Sequence, residues 1–111
     1  MRLSLAVCLA LMLTDRNAAG AELADLRGAR SIVAEAALVL RLDAQHRLTA
    51  RYAGQSQKII RDQLQSELQS LGPGSHEGQL VGAGLAALQA RSPGQLDKIQ
   101  QELSRLVDQR E

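Results

Sequence analysis

The fold of this chain is decided by one stretch, Val33-Ala34-Glu35-Ala36-Ala37-Leu38-Val39-Leu40-Arg41-Leu42. On a helix of about 3.6 residues per turn, apolar side chains in and around this stretch form a single stripe: Leu26, Ala29, Val33, Ala36, Ala37, Leu40 and Ala44. Three more apolar residues fall outside the stripe: Leu38, Val39 and Leu42. The helix is therefore apolar on more than one side and needs packing neighbours on two flanks. Three shorter amphipathic patterns follow it, so the sequence predicts an all-α fold, a small antiparallel bundle of three to four helices.

Break signals divide the chain into predicted helices at about 22–44, 49–71, 76–90 and 93–109. Residues 45–48 carry few apolar side chains on the stripe and Thr49 is a suitable N-cap, which favours a tight turn over one continuous helix to Leu71. The second helix ends at Gly72-Pro73-Gly74-Ser75, because Gly caps a helix C-terminus and Pro cannot continue a helix. The fourth helix begins at Ser92-Pro93.

Each shorter helix has an apolar inner face at helical spacing. The second helix also carries two apolar residues on a flank, Tyr52 and Ile59. The expected inner faces are, in order, Ala53, Ser56, Ile60, Leu64, Leu68 and Leu71; Val81, Gly84, Leu85 and Leu88; and Leu96, Ile99, Leu103, Leu106 and Val107.

Residues 1–21 are predicted to be a signal peptide that precedes the bundle of residues 22–111. Arg2 supplies a positive charge, Leu3–Leu13 is apolar apart from one serine, and Ala19-Gly20-Ala21 is a small-x-small cleavage site. An apolar run of this length is shorter than the roughly 20 residues that span a bilayer. We therefore expect a periplasmic or secreted protein, and the Arg-rich composition suggests a bacterial source. The polar residues 14–17 leave an uncleaved N-terminal anchor as the alternative.

Composition bounds the class of protein. Apolar residues make up 45% of the chain, charged residues 23%, and the formal net charge is +1, which is typical of one globular domain. Cys8 lies in the predicted leader, so no disulfide is expected in residues 22–111. Tyr52 is the single aromatic residue. Export, near-neutral charge and the lack of aromatic side chains for base stacking argue against a nucleic-acid partner.

The residues that carry chemistry elsewhere lack their usual setting here. The run Gly82–Ala87 reads G-x-G-x-x-A, but a dinucleotide site needs a strand before this pattern, and a polar helix start precedes it here. His46 and His76 are interpreted as surface residues near helix ends rather than metal ligands. Ser75 lacks a G-x-S-x-G setting. We therefore expect no enzyme activity, cofactor, metal or small-molecule substrate.

Charge is distributed unevenly along the chain. Residues 27–61 contain seven cations and two acids, a net of +5, whereas residues 62–111 contain seven acids and four cations, a net of −3. Arg47, Arg51 and Lys58 recur at helical spacing and are the candidate contact residues for an anionic surface. The competing interpretation is that basic and acidic helices attract each other within the bundle.

These patterns together predict an exported, non-enzymatic helical protein that acts by protein–protein interaction through an apolar helix face. Its partner is an unknown protein or a second copy of the chain. The alternative is a membrane-associated protein that uses an uncleaved N-terminal anchor or a basic helix face on anionic lipid. A third hypothesis is a metal-responsive protein that uses His46 and His76.

Overall fold

The protein is described here from a computed structural model, which covers the backbone of residues 2–111 and the side chains of residues 23–111. Over this range it is all-helical, with four helices packed together: α1 (Arg2–Ala44), α2 (Ala50–Leu71), α3 (His76–Gln89) and α4 (Pro93–Arg110). The expected spans 49–71, 76–90 and 93–109 each differ from these bounds by one residue at one end.

The start of the first helix differs from the prediction. α1 begins at Arg2, not at Glu22: no proline interrupts residues 2–44, and the N-cap residue types at positions 14–17 do not start a new helix. The signal-peptide interpretation falls on residues 1–21, outside the described side chains, and stays a prediction. Among the described residues, none of the helices has a stretch both long and apolar enough to cross a bilayer.

The helices form a closed ring in which each one packs against its two neighbours. α1 packs mainly on α2 and α4, and α3 packs on the same two helices. Two ion pairs show how α1 and α4 run relative to each other. Arg27 pairs with Glu111 at the end of α4, while Arg41, near the end of α1, pairs with Asp97 at the start of α4. α1 and α4 are therefore antiparallel, and the short connections reverse the chain at every step, which gives an up-down-up-down bundle.

The core is filled by the predicted apolar faces. Its largest fully buried side chains come from all four helices: Leu26, Val33, Ile60, Leu64, Val81, Leu96, Leu103 and Val107. The α1 stripe is buried from Leu26 to Leu40, but Ala44 is exposed because it is the last residue of the helix. Val39, outside the stripe, is also buried, which shows that α1 does have packing neighbours on two flanks.

Capping interactions define the turns. The backbone N–H of Tyr52 donates to the Thr49 hydroxyl at 3.1 Å, so Thr49 is the N-cap of α2. Gly72 caps the end of α2 with a φ of 89°, a conformation that favours glycine. Ser75 and Ser92 cap α3 and α4 in the same way as Thr49. α1 and α2 are thus two separate helices.

Candidate interaction surfaces

The exposed apolar residues concentrate on α1 and α2. Among residues 23–111, the large hydrophobic side chains left exposed are Leu38 (54%), Tyr52 (57%) and Ile59 (58%). Ile59 follows Tyr52 by seven residues, so both lie on the same side of α2. The described parts of α3 and α4 contribute no side chain of this kind.

That side of α2 faces the edge shared with α1. Arg61 lines a groove with α3, and Ile59, two residues earlier, lies on the opposite flank, next to α1. On α1, Ile32 and Val39 share a side with Gly28, which approaches Glu67 of α2. We call this surface the α1–α2 face and define it by its four apolar residues: Ile32, Val39, Tyr52 and Ile59. Leu38 lies outside it, because helical spacing places Leu38 on the side of α1 that carries Arg27 and Arg41, whose carboxylate partners lie at the two ends of α4.

Few charges interrupt the α1–α2 face. Along α2, the residues at the same helical positions as Tyr52 and Ile59 are uncharged: Ser56, Gln63, Ser66 and Ser70. The charges that border the face are the exposed Glu35 and the half-buried Asp43, each four residues from Val39, and the exposed Asp62, three residues from Ile59. Depletion of charge around exposed aromatic and aliphatic residues is typical of the central part of protein interfaces.

The three predicted anion-contact residues are all exposed. Arg51 and Lys58 are seven residues apart on α2, so they share one side of the helix. That side is turned away from the core. Arg47 lies before α2 begins, in the connection after α1, so it does not extend their row along the helix. The predicted set is therefore two residues on one helix face with a third beside its N-terminus.

These cations differ from the arginines of α1 and α4 in their partners. Arg27, Arg41, Arg105 and Arg110 each form an ion pair with a carboxylate. Within residues 23–111, five cations near α2 form no ion pair: Arg47, Arg51, Lys58, Arg61 and Arg91. The interpretation that basic and acidic helices attract each other therefore accounts for Arg27, Arg41 and Arg110, whose ion pairs join two helices, but not for these five cations. Arg30 of α1 and Lys98 of α4 likewise form no ion pair within this range.

Three of the five unpaired cations meet in one depression of about 250 Å³ between α2 and α3. Lys58 and Arg61 come from α2, and Arg91 comes from the turn after α3. Gly54, Gln57 and Gln89 complete the walls, with Leu88 buried behind them. We call this the α2–α3 groove. Sequence reasoning found Lys58 but missed Arg61 and Arg91, although Arg61 follows Lys58 by three residues and so lies on a neighbouring helix face.

A carboxyl pair lies at the opposite end of α2. Burial, followed by the charge and the hydrogen bond of Asp25, raises the pKa of Glu67 above its ordinary value. Oε2 of Glu67 is buried without a hydrogen-bond partner, although the residue as a whole is half-buried. The position that a Cβ on Gly28 would occupy is 3.1 Å from Oε1. Glycine at position 28 therefore leaves room for this side chain between α1 and α2.

The remaining sequence candidates are kept apart by the fold. His46 lies in the turn before α2 and His76 at the start of α3, so the whole of α2, about 33 Å long, separates them. Within the described residues, no group of three or more His, Cys, Asp or Glu side chains is arranged to hold a metal ion.

Glycines of the third helix pack closely against neighbouring segments of the bundle. Residues 82–87 lie inside α3, and Gly84 is buried against Val33 of α1. Gly78 is also buried, against the backbone of Gly72. These two glycines therefore allow close packing within the bundle.

No protein-family model, curated protein or solved structure matches this chain.

Proposed function

We propose that this is an exported, non-enzymatic protein that binds another protein through the α1–α2 face. One observation supports the proposal above all: of the three large apolar side chains left exposed in residues 23–111, two, Tyr52 and Ile59, lie seven residues apart on this face. Scattered exposed apolar residues are ordinary on protein surfaces, but an exposed aromatic and an exposed aliphatic side chain on one largely uncharged side of a helix are typical of an interaction site.

The energetics favour a transient complex. Covering an apolar side chain completely contributes about 1.5–3 kcal/mol, and Tyr52 and Ile59 are already about half covered. Each would therefore contribute about 1 kcal/mol in an interface. Such a sum offsets only part of the cost of association, which is at least about 4 kcal/mol, so we expect a partner that adds contacts around the rim.

Site-specific photocross-linking tests the proposal. A benzophenone amino acid at position 59 is expected to cross-link one defined partner in extracts of the source cells, whereas the same group at exposed position 101 on α4 is not. Tyr52→Ser, introduced into the chain that carries the probe at position 59, should reduce the cross-linked product without changing the urea unfolding curve. A product at twice the chain mass would identify self-association. Equal labelling from positions 59 and 101, or none from either, would refute the proposal.

Membrane association is the second candidate, and the unpaired cations Arg47, Arg51 and Lys58 support it. Vesicles that contain phosphatidylglycerol should then bind the protein in a salt-sensitive manner, and vesicles of phosphatidylcholine alone should not. Arg51→Gln with Lys58→Gln should weaken that binding, whereas the matched pair Arg27→Gln and Arg105→Gln should not. Equal binding to both vesicle types would exclude the basic-face mechanism and leave an uncleaved anchor as the explanation.

A further inference from the structure

We propose that the α2–α3 groove is a binding site for a phosphate-bearing anion, held by Lys58, Arg61 and Arg91. This inference does not depend on the α1–α2 face, because the groove lies on the opposite flank of α2. The three cations converge from two segments that are brought together only by the fold. No carboxylate lines the groove. The nearest acid along the helix, Asp62, follows Lys58 by four residues and forms no ion pair.

The cations of the groove are not required for capping α3. A helix C-terminus leaves carbonyl groups unsatisfied, and nearby Lys or Arg side chains often fill that role. Here the backbone does so: the N–H groups of Ala90, Arg91 and Ser92 donate to the carbonyl oxygens of Ala86, Leu88 and Ala87 at 2.9, 3.1 and 3.0 Å. The guanidinium of Arg91 is therefore left for another partner.

The turn that supplies Arg91 holds an unusual backbone conformation. Arg91 has a φ of 54°, in the left-handed region that non-glycine residues rarely adopt. Glycine is the residue most often used after a helix C-terminus, and an arginine there costs backbone energy that a glycine would not. His46 holds the same conformation after α1, with a φ of 57°, so the backbone alone does not single out Arg91; its place in the groove does.

The chemistry of the walls matches a phosphate group. A phosphate ester carries a charge of about −2 at neutral pH and three strong acceptor oxygens, whereas arginine offers a planar fork that can donate two parallel hydrogen bonds. Two arginines and one lysine provide charge and directed donors, and the amides of Gln57 and Gln89 add neutral donors. The wall is open at Gly54, where a Cβ would meet no heavy atom within 4 Å.

Nuclear magnetic resonance on the full chain provides the test, with inorganic phosphate as the probe. We expect the backbone amide of Gly54 and the side-chain amides of Gln57 and Gln89 to shift in a saturable manner at millimolar phosphate. Chloride at the same ionic strength should leave these signals unchanged. Shifts that fail to saturate, or that chloride reproduces, would overturn the proposal.

Variants separate a defined site from general electrostatic attraction. Arg61→Gln and Arg91→Asn should each weaken phosphate binding by about three- to fivefold, the range for partly exposed charged contacts. Arg51→Gln, which removes the same charge from α2 outside the groove, should have less than about half that effect. Gly54→Glu places a carboxylate in the groove without a steric clash and should abolish binding. Equal weakening by Arg51→Gln would refute the site.

A second experiment, vesicle binding, distinguishes a lipid headgroup from a soluble phosphate compound as the source of the phosphate. Binding to vesicles of phosphatidylcholine with added phosphatidic acid is compared for the unsubstituted chain and Arg61→Gln. Loss of vesicle binding in Arg61→Gln, with saturable phosphate shifts in the unsubstituted chain, assigns the groove to a lipid headgroup. Vesicle binding that is absent or insensitive to Arg61→Gln, together with the same shifts, assigns it to a soluble phosphate compound. Failure of both measurements overturns the proposal.

Discussion

Two glycines of α3 predict opposite effects for the same substitution. A Cβ on Gly78 would lie 1.9 Å from the carbonyl oxygen of Gly72, 2.8 Å from its carbonyl carbon and 3.0 Å from Oγ of Ser75. A Cβ on Gly82, one turn further along the same helix, meets no heavy atom within 4 Å. Gly78→Ala should therefore destabilise the protein, and Gly82→Ala should stabilise it.

The expected loss of stability in Gly78→Ala follows from the displacement of the Gly72 carbonyl that the new Cβ requires. To restore ordinary contact distances, the Gly72 carbonyl has to shift by more than about 1 Å. That carbonyl accepts the N–H of Ser75 at 3.1 Å, and Oγ of Ser75 accepts the N–H of Gly78 at 2.9 Å. Overpacking costs about 1–3 kcal/mol and disruption of the N-cap about 1 kcal/mol. The higher helix propensity of alanine offsets about 1 kcal/mol, so Gly78→Ala should lose about 2 kcal/mol net.

Urea unfolding followed by circular dichroism measures both variants under one condition. Gly82→Ala should gain up to about 1 kcal/mol, because no clash opposes the propensity of alanine. The free energies of unfolding of the two variants should therefore differ by about 3 kcal/mol, with unchanged dependence on urea concentration. A Gly78→Ala protein at least as stable as the unsubstituted chain would refute the close approach of α3 to the turn before it.

Three further predictions concern the carboxylates and the core. Glu67→Gln should raise the free energy of unfolding at neutral pH, because the raised pKa of Glu67 means that its ionisation opposes folding. The gain should shrink once the pH falls below that raised pKa and disappear below the ordinary pKa of a glutamate, as urea midpoints against pH will show. A gain that is constant with pH would contradict this account. Asp97→Asn should cause a small, salt-sensitive loss of unfolding free energy at neutral pH, because the hydrogen bond and ion pair with Arg41 lower the pKa of Asp97. That loss should vanish as the pH falls through the lowered pKa, and a loss that persists in acid would exclude the ion pair as its cause. Leu103→Ala should cost about 2–5 kcal/mol because the side chain is fully buried, whereas Leu38→Ala should change the unfolding free energy by less than about 0.5 kcal/mol; similar losses in thermal or urea unfolding would contradict the assigned burial.

Local signals in the sequence were sufficient to predict the helical ends within the bundle. Thr49, Ser75 and Ser92 accept backbone N–H groups at the starts of α2, α3 and α4, and Gly72 ends α2. Each interaction spans three or four residues, so the chain specifies it without tertiary structure. The N-terminus of α1 was not predicted, because the residues on both sides of position 22 favour a helix.

The surfaces could not be predicted to the same extent, because they depend on which helices become neighbours. Periodicity places both Leu38 and Val39 outside the main stripe of α1. It does not indicate that Val39 is covered by a packed helix whereas Leu38 stays exposed. Arg91 reaches the groove beside Arg61 from a turn 30 residues further along the chain. The Asp25–Glu67 pair likewise joins α1 to α2. Pairings of this kind follow from helix order and direction rather than from local spacing.

Among α2, α3 and α4, α2 buries the smallest fraction of its residues, which leaves the most of it available for binding. Three of its 22 residues are buried, compared with five of 14 in α3 and four of 18 in α4. A residue that fills the core is constrained by packing, whereas an exposed one is free to serve another contact at little cost in stability. α2 leaves Tyr52 and Ile59 exposed on one flank and Lys58 and Arg61 without ion pairs on the other. Because Ile60 and Leu64 anchor the helix between these flanks, a change on either flank should leave the other intact, and the two proposals can fail independently.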